Sequence, residues 1–169
     1  MIFPISVNFN RKLKTTITPD NKQQILLFIQ KSILEDNANN VVFEDMSVGY
    51  KGTTSRWRGA LFGSVDNGIF NLLYKDSNWF LIYQINMRKL FIAAAIMSTV
   101  MAIFGFKTGD SLWIGIGFFS WFCGGNWIIN IIRHGSVASD IAFSIDELFA
   151  DKDLIAESDE DKERLKSWY

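Results

Sequence analysis

The chain has 169 residues, with 17 basic and 18 acidic side chains and a formal net charge of −1, so it carries no overall charge bias toward nucleic acid. Its single cysteine, Cys123, excludes a disulfide framework or a cysteine-based metal site within one chain, and its single histidine, His134, excludes histidine-rich metal centres. Apolar residues make up 49%, which is ordinary for a globular protein, but they are unevenly spread.

MIFPISVNFNRKLK, at the start, lacks the basic-then-apolar order of a signal peptide, so the first membrane signal is expected to be internal. Ile5 to Phe9 alternates apolar and polar residues, the period of a half-buried strand, and continues through RKLKTTIT. Thr18, Pro19 and Asp20 then signal a helix start. Thr18 can cap, and proline suits the first helical position because its missing N–H has no intrahelical partner there. Ile25, Ile29 and Ile33 recur at helical spacing with Leu26 and Phe28, and the helix is expected to end in EDNANN, Glu35 to Asn40.

Four strand-like segments follow: Val41–Tyr50, Arg56–Gly63, Gly68–Lys75 and Trp79–Met87. The breaks between them are short, which favours antiparallel hairpins, and Asn67-Gly68 is a favourable turn pair. The expected fold class is therefore α+β: an antiparallel sheet in the order β-α-β-β-β-β with one packed helix, cytoplasmic over residues 1–87. That order is shared by cystatin-like folds, a likeness of topology that carries no function. Trp57 and Trp79 are expected in the core.

Two uncharged runs come next, Leu90–Phe106 and Leu112–Ile132, separated by KTGDS. At about 1.5 Å per helical residue they extend roughly 25 and 31 Å, close to a hydrocarbon core of about 30 Å. A chain this small would hardly wrap two such helices on all sides. The reading is a transmembrane hairpin over residues 88–133, with spans of about 88–106 and 112–132. Arg88 and Lys89 before the first span, and Arg133 with His134 after the second, mark the membrane boundary. Their positive charge places both termini in the cytoplasm. Trp113 suits the outer interface, and Trp121 is expected between helices.

Ala94, Ser98 and Ala102 in the first span, and Ser120 and Gly124 in the second, are small residues at four-residue spacing that let helices approach closely. Ala95 and Thr99 offer a second such set for another subunit. Asn126 and Asn130 share a face of the second span and are expected to point at protein or water, either as interhelical hydrogen-bonding groups or as amides around a pore.

From His134 to Tyr169 the tail is expected to start as an amphipathic helix, with Val137, Ile141, Ile145, Leu148 and Phe149 on one face, and to end in an acidic run. Residues 1–89 hold eleven basic and seven acidic groups, +4, while residues 133–169 hold five and ten, −5. The positive part suits an anionic leaflet, and the tail would rather rest on the positive domain or a neighbouring subunit.

No catalytic constellation stands out. No phosphate-binding glycine motif, nucleophile–base pair or metal-ligand spacing is present, and no cofactor is called for. Arg56 and Arg58 with Lys51 and Lys75 form the nearest thing to a binding patch, but nucleic acid is disfavoured as a partner. The expected function is non-enzymatic: a membrane-anchored interaction or sensing module that binds a protein partner or a ligand of unknown identity. The alternative is a homo-oligomeric membrane effector of bacterial defence or toxin type, gated by the cytoplasmic domain. Small size and an Ile-, Lys- and Asn-rich composition point to a bacterial inner membrane.

Overall fold

The computed structural model describes residues 5–35, 39–52, 65–108 and 113–149. Its elements run β1 (Ser6–Leu13), α1 (Pro19–Glu35), β2 (Asn39–Glu44), β3 (Ser47–Lys51), β4 (Asn67–Lys75), β5 (Asn78–Asn86), α2 (Arg88–Lys107), α3 (Trp113–Phe119), a π-helical turn (Ser120–Gly124) and α4 (Gly125–Phe149). The five strands form one antiparallel sheet in the order β1-β5-β4-β3-β2.

Local chemistry explains where α1 begins. The Asn21 N–H donates to Thr18 Oγ1 at 3.3 Å while the Thr18 N–H donates to Asn21 Oδ1 at 2.8 Å, a reciprocal cap that satisfies two otherwise unpaired donors. Pro19 occupies the first helical position. Ile25, Leu26, Ile29 and Ile33 are buried along one face, each contributing about 1.5–3 kcal/mol. They meet the inward row of the sheet: Phe9 and Leu13, Val48 and Tyr50, Phe70 and Leu72, and Leu81, Tyr83 and Ile85. α1 and the later part of α4 cover this face.

The sheet departs from the sequence reading in three places. Val41–Tyr50 is not one strand but a tight hairpin, β2 and β3, turning at Asp45-Met46. The ion pair from Lys22 to Asp45 ties that turn to α1. Asn67-Gly68 is not a turn but the start of β4, where Gly68 makes room for an aromatic ring: a Cβ there would lie 2.4 Å from Tyr50 Oη. β1 stops at Leu13 rather than running through Thr18, because Asp146 takes up the N–H groups of Lys14 and Thr15. The expected strand Arg56–Gly63 lies outside the described residues. Between β4 and β5, Asp76 and Ser77 both take positive φ, 49° and 60°, as a two-residue hairpin turn requires. Trp79 sits half-buried at that end of the sheet against Tyr74, and Trp57 lies outside the described residues.

β5 passes into α2 through Met87 alone, a fully buried residue whose N–H donates to the Ile5 carbonyl at 2.9 Å. α3, the π-helical turn and α4 follow without a break, so Trp113–Phe149 is one helix of 37 residues. α2 and this long helix are apolar enough to cross a membrane, and only 17% of the apolar window of each is buried. Among the described residues the protein is thus α+β, with a five-stranded antiparallel sheet and three helices, two of membrane-spanning length and composition.

Candidate functional site

The notable chemistry lies where the long helix enters the sheet domain. His134 is wholly buried, and its Nδ1 lies 2.7 Å from Tyr83 Oη. Tyr83 Oη in turn lies 2.5 Å from Tyr50 Oη. Two strands, β3 and β5, and the long helix therefore meet in a hydrogen-bonded chain, Tyr50–Tyr83–His134, roofed by Phe70 of β4 stacked on Tyr83 at 4.0 Å. Phe9 stacks on the same ring at 5.9 Å, and Gly135 fits against Phe9 because a Cβ there would come within 3.2 Å of it. Burial, joined by the adjacent Arg133 guanidinium, lowers the His134 pKa from 6.5 to about 4, so the ring is neutral at physiological pH. Burial likewise raises both tyrosines above their ordinary range, so both stay protonated. Protons in the chain can point from Tyr50 toward His134 or the reverse, and a doubly protonated imidazole permits only the second order.

Further bonds fasten the same joint. Arg11 Nε donates to Ser139 Oγ at 2.8 Å, and its Nη2 reaches the Gly135 carbonyl at 3.4 Å. Asp146 Oδ1 accepts from the Lys14 N–H, the Thr15 N–H and Thr15 Oγ1 at 2.8, 2.9 and 3.0 Å. At the start of α2, Asp66 Oδ2 accepts the Lys89 N–H at 2.8 Å and Asn86 Oδ1 accepts the Arg88 N–H at 3.0 Å, filling two of the helix's unpaired donors. The backbone of Asp66 also bonds to Asn86 and Gly52, so one residue ties β3, β5 and α2 together.

Within the hairpin, α2 crosses α3 at small residues. Ser98 Oγ donates to the Gly115 carbonyl at 2.8 Å, and a Cβ on Gly115 would lie 2.5 Å from Ala102 Cβ and 3.0 Å from the Ser98 carbonyl oxygen. Ala94 and Ser98 are buried along this seam. Gly115 is thus the partner of the Ser98–Ala102 stripe. Ser120 is exposed, and a Cβ on Gly124 would meet nothing within 4 Å. Gly115→Leu is expected to cost about 1–3 kcal/mol through overpacking, lowering the thermal midpoint of the purified protein, whereas Gly117→Leu, where a Cβ meets nothing, leaves it unchanged.

The two asparagines bond within their own helix. Asn126 Nδ2 donates to the Phe122 carbonyl at 2.6 Å and Asn130 Nδ2 to the Asn126 carbonyl at 2.9 Å. Asn130 is buried and continues the seam of Cys123, His134, Ala138, Ile141 and Ile145. The π-helical turn lies between the part of this helix that meets α2 and the part that meets the sheet. Val137 is half-buried, Leu148 is 60% exposed, and Ala138 and Ala142 complete the tail's inner face instead. Trp113 and Trp121 are 73% and 82% exposed, so Trp121 does not pack between the helices.

Arg88, Lys89 and Arg133 are exposed, while His134 is turned into the core. Lys51 and Lys75 do not form one patch. Lys51 pairs with Asn67 at one end of β4, and Lys75 pairs with Asn78 at the other, about 26 Å away at 3.3 Å per residue. Arg56 and Arg58 lie outside the described residues. Among the described residues, no group of three His, Cys, Asp or Glu side chains is placed to hold a metal. The sequence signal for the joint was the lone histidine beside a membrane boundary; its tyrosine partners follow only from strand register.

No protein-family model, no curated protein and no solved structure matches the chain.

Proposed function

We propose that the protein is a non-enzymatic, membrane-anchored sensing module, in which the state of the sheet domain is passed to a transmembrane hairpin. The carrying observation is that both apolar helices are continuous with the domain's core. α2 leaves β5 with Met87 as the sole intervening residue, and the long helix delivers His134 to the Tyr50–Tyr83 pair. The exposure of Ile92, Ile96, Val100, Ile103, Ile116, Ile128 and Ile132 supports insertion, because a core helix of a soluble protein would bury such a surface. Arg88, Lys89 and Arg133 at one end support a cytoplasmic sheet domain with both termini on that side. A bacterial inner membrane is the location this reading assigns, and the domain's ligand is a protein or small molecule.

Transmission has a direct test. In a Cys123→Ser background, spin labels at positions 96 and 116 report the α2–α3 distance in lipid vesicles. Tyr83→Phe, which removes the central hydroxyl of the chain, is expected to broaden that distribution. An unchanged distribution, with the protein resisting carbonate extraction, would reject transmission; release by carbonate would reject insertion itself.

The second reading, an oligomeric membrane effector, is favoured by one observation. A groove of about 430 Å³ beside the α2–α3 crossing is lined by Ala95, Thr99, Ala102 and Ile116, with Ser98 and Gly115 at its floor. Small residues there would admit a helix of a second copy. Native mass spectrometry of the extracted protein separates the two: a closed homo-oligomer supports the effector, and a monomer supports the sensing module.

A further inference from the structure

The strand registers place one end of the sheet at the start of α2. Its last row runs Lys51, Asn67, Asn86 and Ser6 across four strands, and Asn86 is followed by Met87, Arg88 and Lys89. Lys51 therefore stands on the level of Arg88 and Lys89 although 37 residues separate it from Arg88 in the chain. Arg133 stands higher on the long helix, since it precedes His134, whose ring reaches Tyr83, three positions or about 10 Å up β5 from Asn86. Two and six residues before Arg133, Ile131 and Trp127 pack partly buried against the core.

Among the described residues, three exposed cations from two elements thus stand at the junction, and the exposed apolar surface of α2 begins directly beneath them. Among the described residues, two carboxylates share this end. Asp66 already accepts the Lys89 N–H, and Glu35 lies 3.9 Å from Lys31. The interfacial zone outside the hydrocarbon core is about 5–7 Å deep on each side, and long Lys and Arg side chains extend along apolar surface to reach it.

We infer that Lys51, Arg88 and Lys89 form a collar that binds the phosphates of anionic lipid headgroups, seating the sheet domain on the bilayer. The inference rests on the membrane reading above. It adds a partner chemistry, and it adds a strand residue, Lys51, that lies outside the flanks of the spans. Lys12 and Lys75, at or near the opposite end of the sheet, take no part.

The test uses the full chain in vesicles of phosphatidylcholine and phosphatidylglycerol in equal amounts. Carbonate extraction first scores insertion, and native mass spectrometry then counts the lipids retained. Each cation near the surface favours an anionic lipid by about 1 kcal/mol, so retained phosphatidylglycerol should exceed phosphatidylcholine about fivefold per engaged residue. Lys51→Gln is expected to lower that ratio, Arg88→Gln with Lys89→Gln to lower it further, and Lys12→Gln with Lys75→Gln to leave it unchanged. An inserted wild-type chain with no lipid preference overturns the collar while leaving the membrane reading intact. Equal losses from the proximal and distal variants also overturn it, since that marks a general charge effect. Release by carbonate overturns the membrane reading and the collar with it.

Discussion

A fragment ending at Asn86 is expected to show no cooperative unfolding transition, although it contains all five strands and α1. The reason is the composition of the core. Ala138, Ile141, Ala142 and Ile145 of α4 belong to the same cluster as Phe9, Leu13, Tyr83 and Ile29. Burying Ile141 and Ile145 contributes about 3–6 kcal/mol together, comparable with the lower end of a whole domain's stability of about 5–15 kcal/mol. Without α4, Phe9, Leu13 and Tyr83 face water, and the Lys14 and Thr15 N–H groups lose Asp146. Joining residues 1–86 to 134–149 through a flexible linker is expected to restore a cooperative transition, read by urea titration of circular dichroism. A sharp transition in the short fragment would show that α4 merely lies on a self-sufficient domain.

That dependence was only half legible in the sequence. α1 could be read because its signals are local: a threonine cap, a proline at the first position and isoleucines four residues apart. β4 and β5 could be read from alternation, and the two long helices from length alone. The β2–β3 hairpin escaped because its turn, Asp45-Met46, has no glycine or proline to mark it. The tail was legible as amphipathic, but two alanines carry half of its inner face, and alanine is weak in any apolar pattern. Ser98 and Ala102 were legible as a close-packing stripe. Their partner at Gly115 depends on how the second helix is set against the first, which no periodicity encodes. The Tyr50–Tyr83–His134 chain was least legible, because it needs the register of β3, β4 and β5 and the facing of α4 at once.

Under the sensing reading proposed above, the buried chain and the short join would act together. Because Asp66 caps α2 from the same end of the sheet that Met87 leaves, a shift of β5 relative to β3 would move the first turn of α2. Because Tyr83 sits on β5 and its hydroxyl holds His134, the same shift would displace the long helix. Two helices driven from one strand would move relative to each other unless the displacements were equal. The tight seam at Gly115 would then act as the fulcrum, since a glycine-to-alanine contact cannot compress.

Acid should release this joint, and the sign follows from His134. Its pKa falls from 6.5 in the unfolded chain to about 4 in the folded one, so between those values the unfolded state binds more protons. Stability is therefore complete above about pH 6.5, declines as pH falls, and by about pH 4 has lost roughly 3 kcal/mol from this group alone. The adjacent Arg133 guanidinium opposes protonation further. The chain itself resists less, since a doubly protonated ring can still donate from Nδ1 to Tyr83, which then donates to Tyr50. Urea unfolding of the full protein in detergent at stepped pH is the measurement. His134→Gln is expected to be less stable at pH 7 but to lack the wild type's decline between pH 6.5 and 4, so the two curves converge as pH falls. Parallel curves across that window would mean that His134 titrates normally, and that the joint is held by packing around Tyr83 rather than by a neutral imidazole.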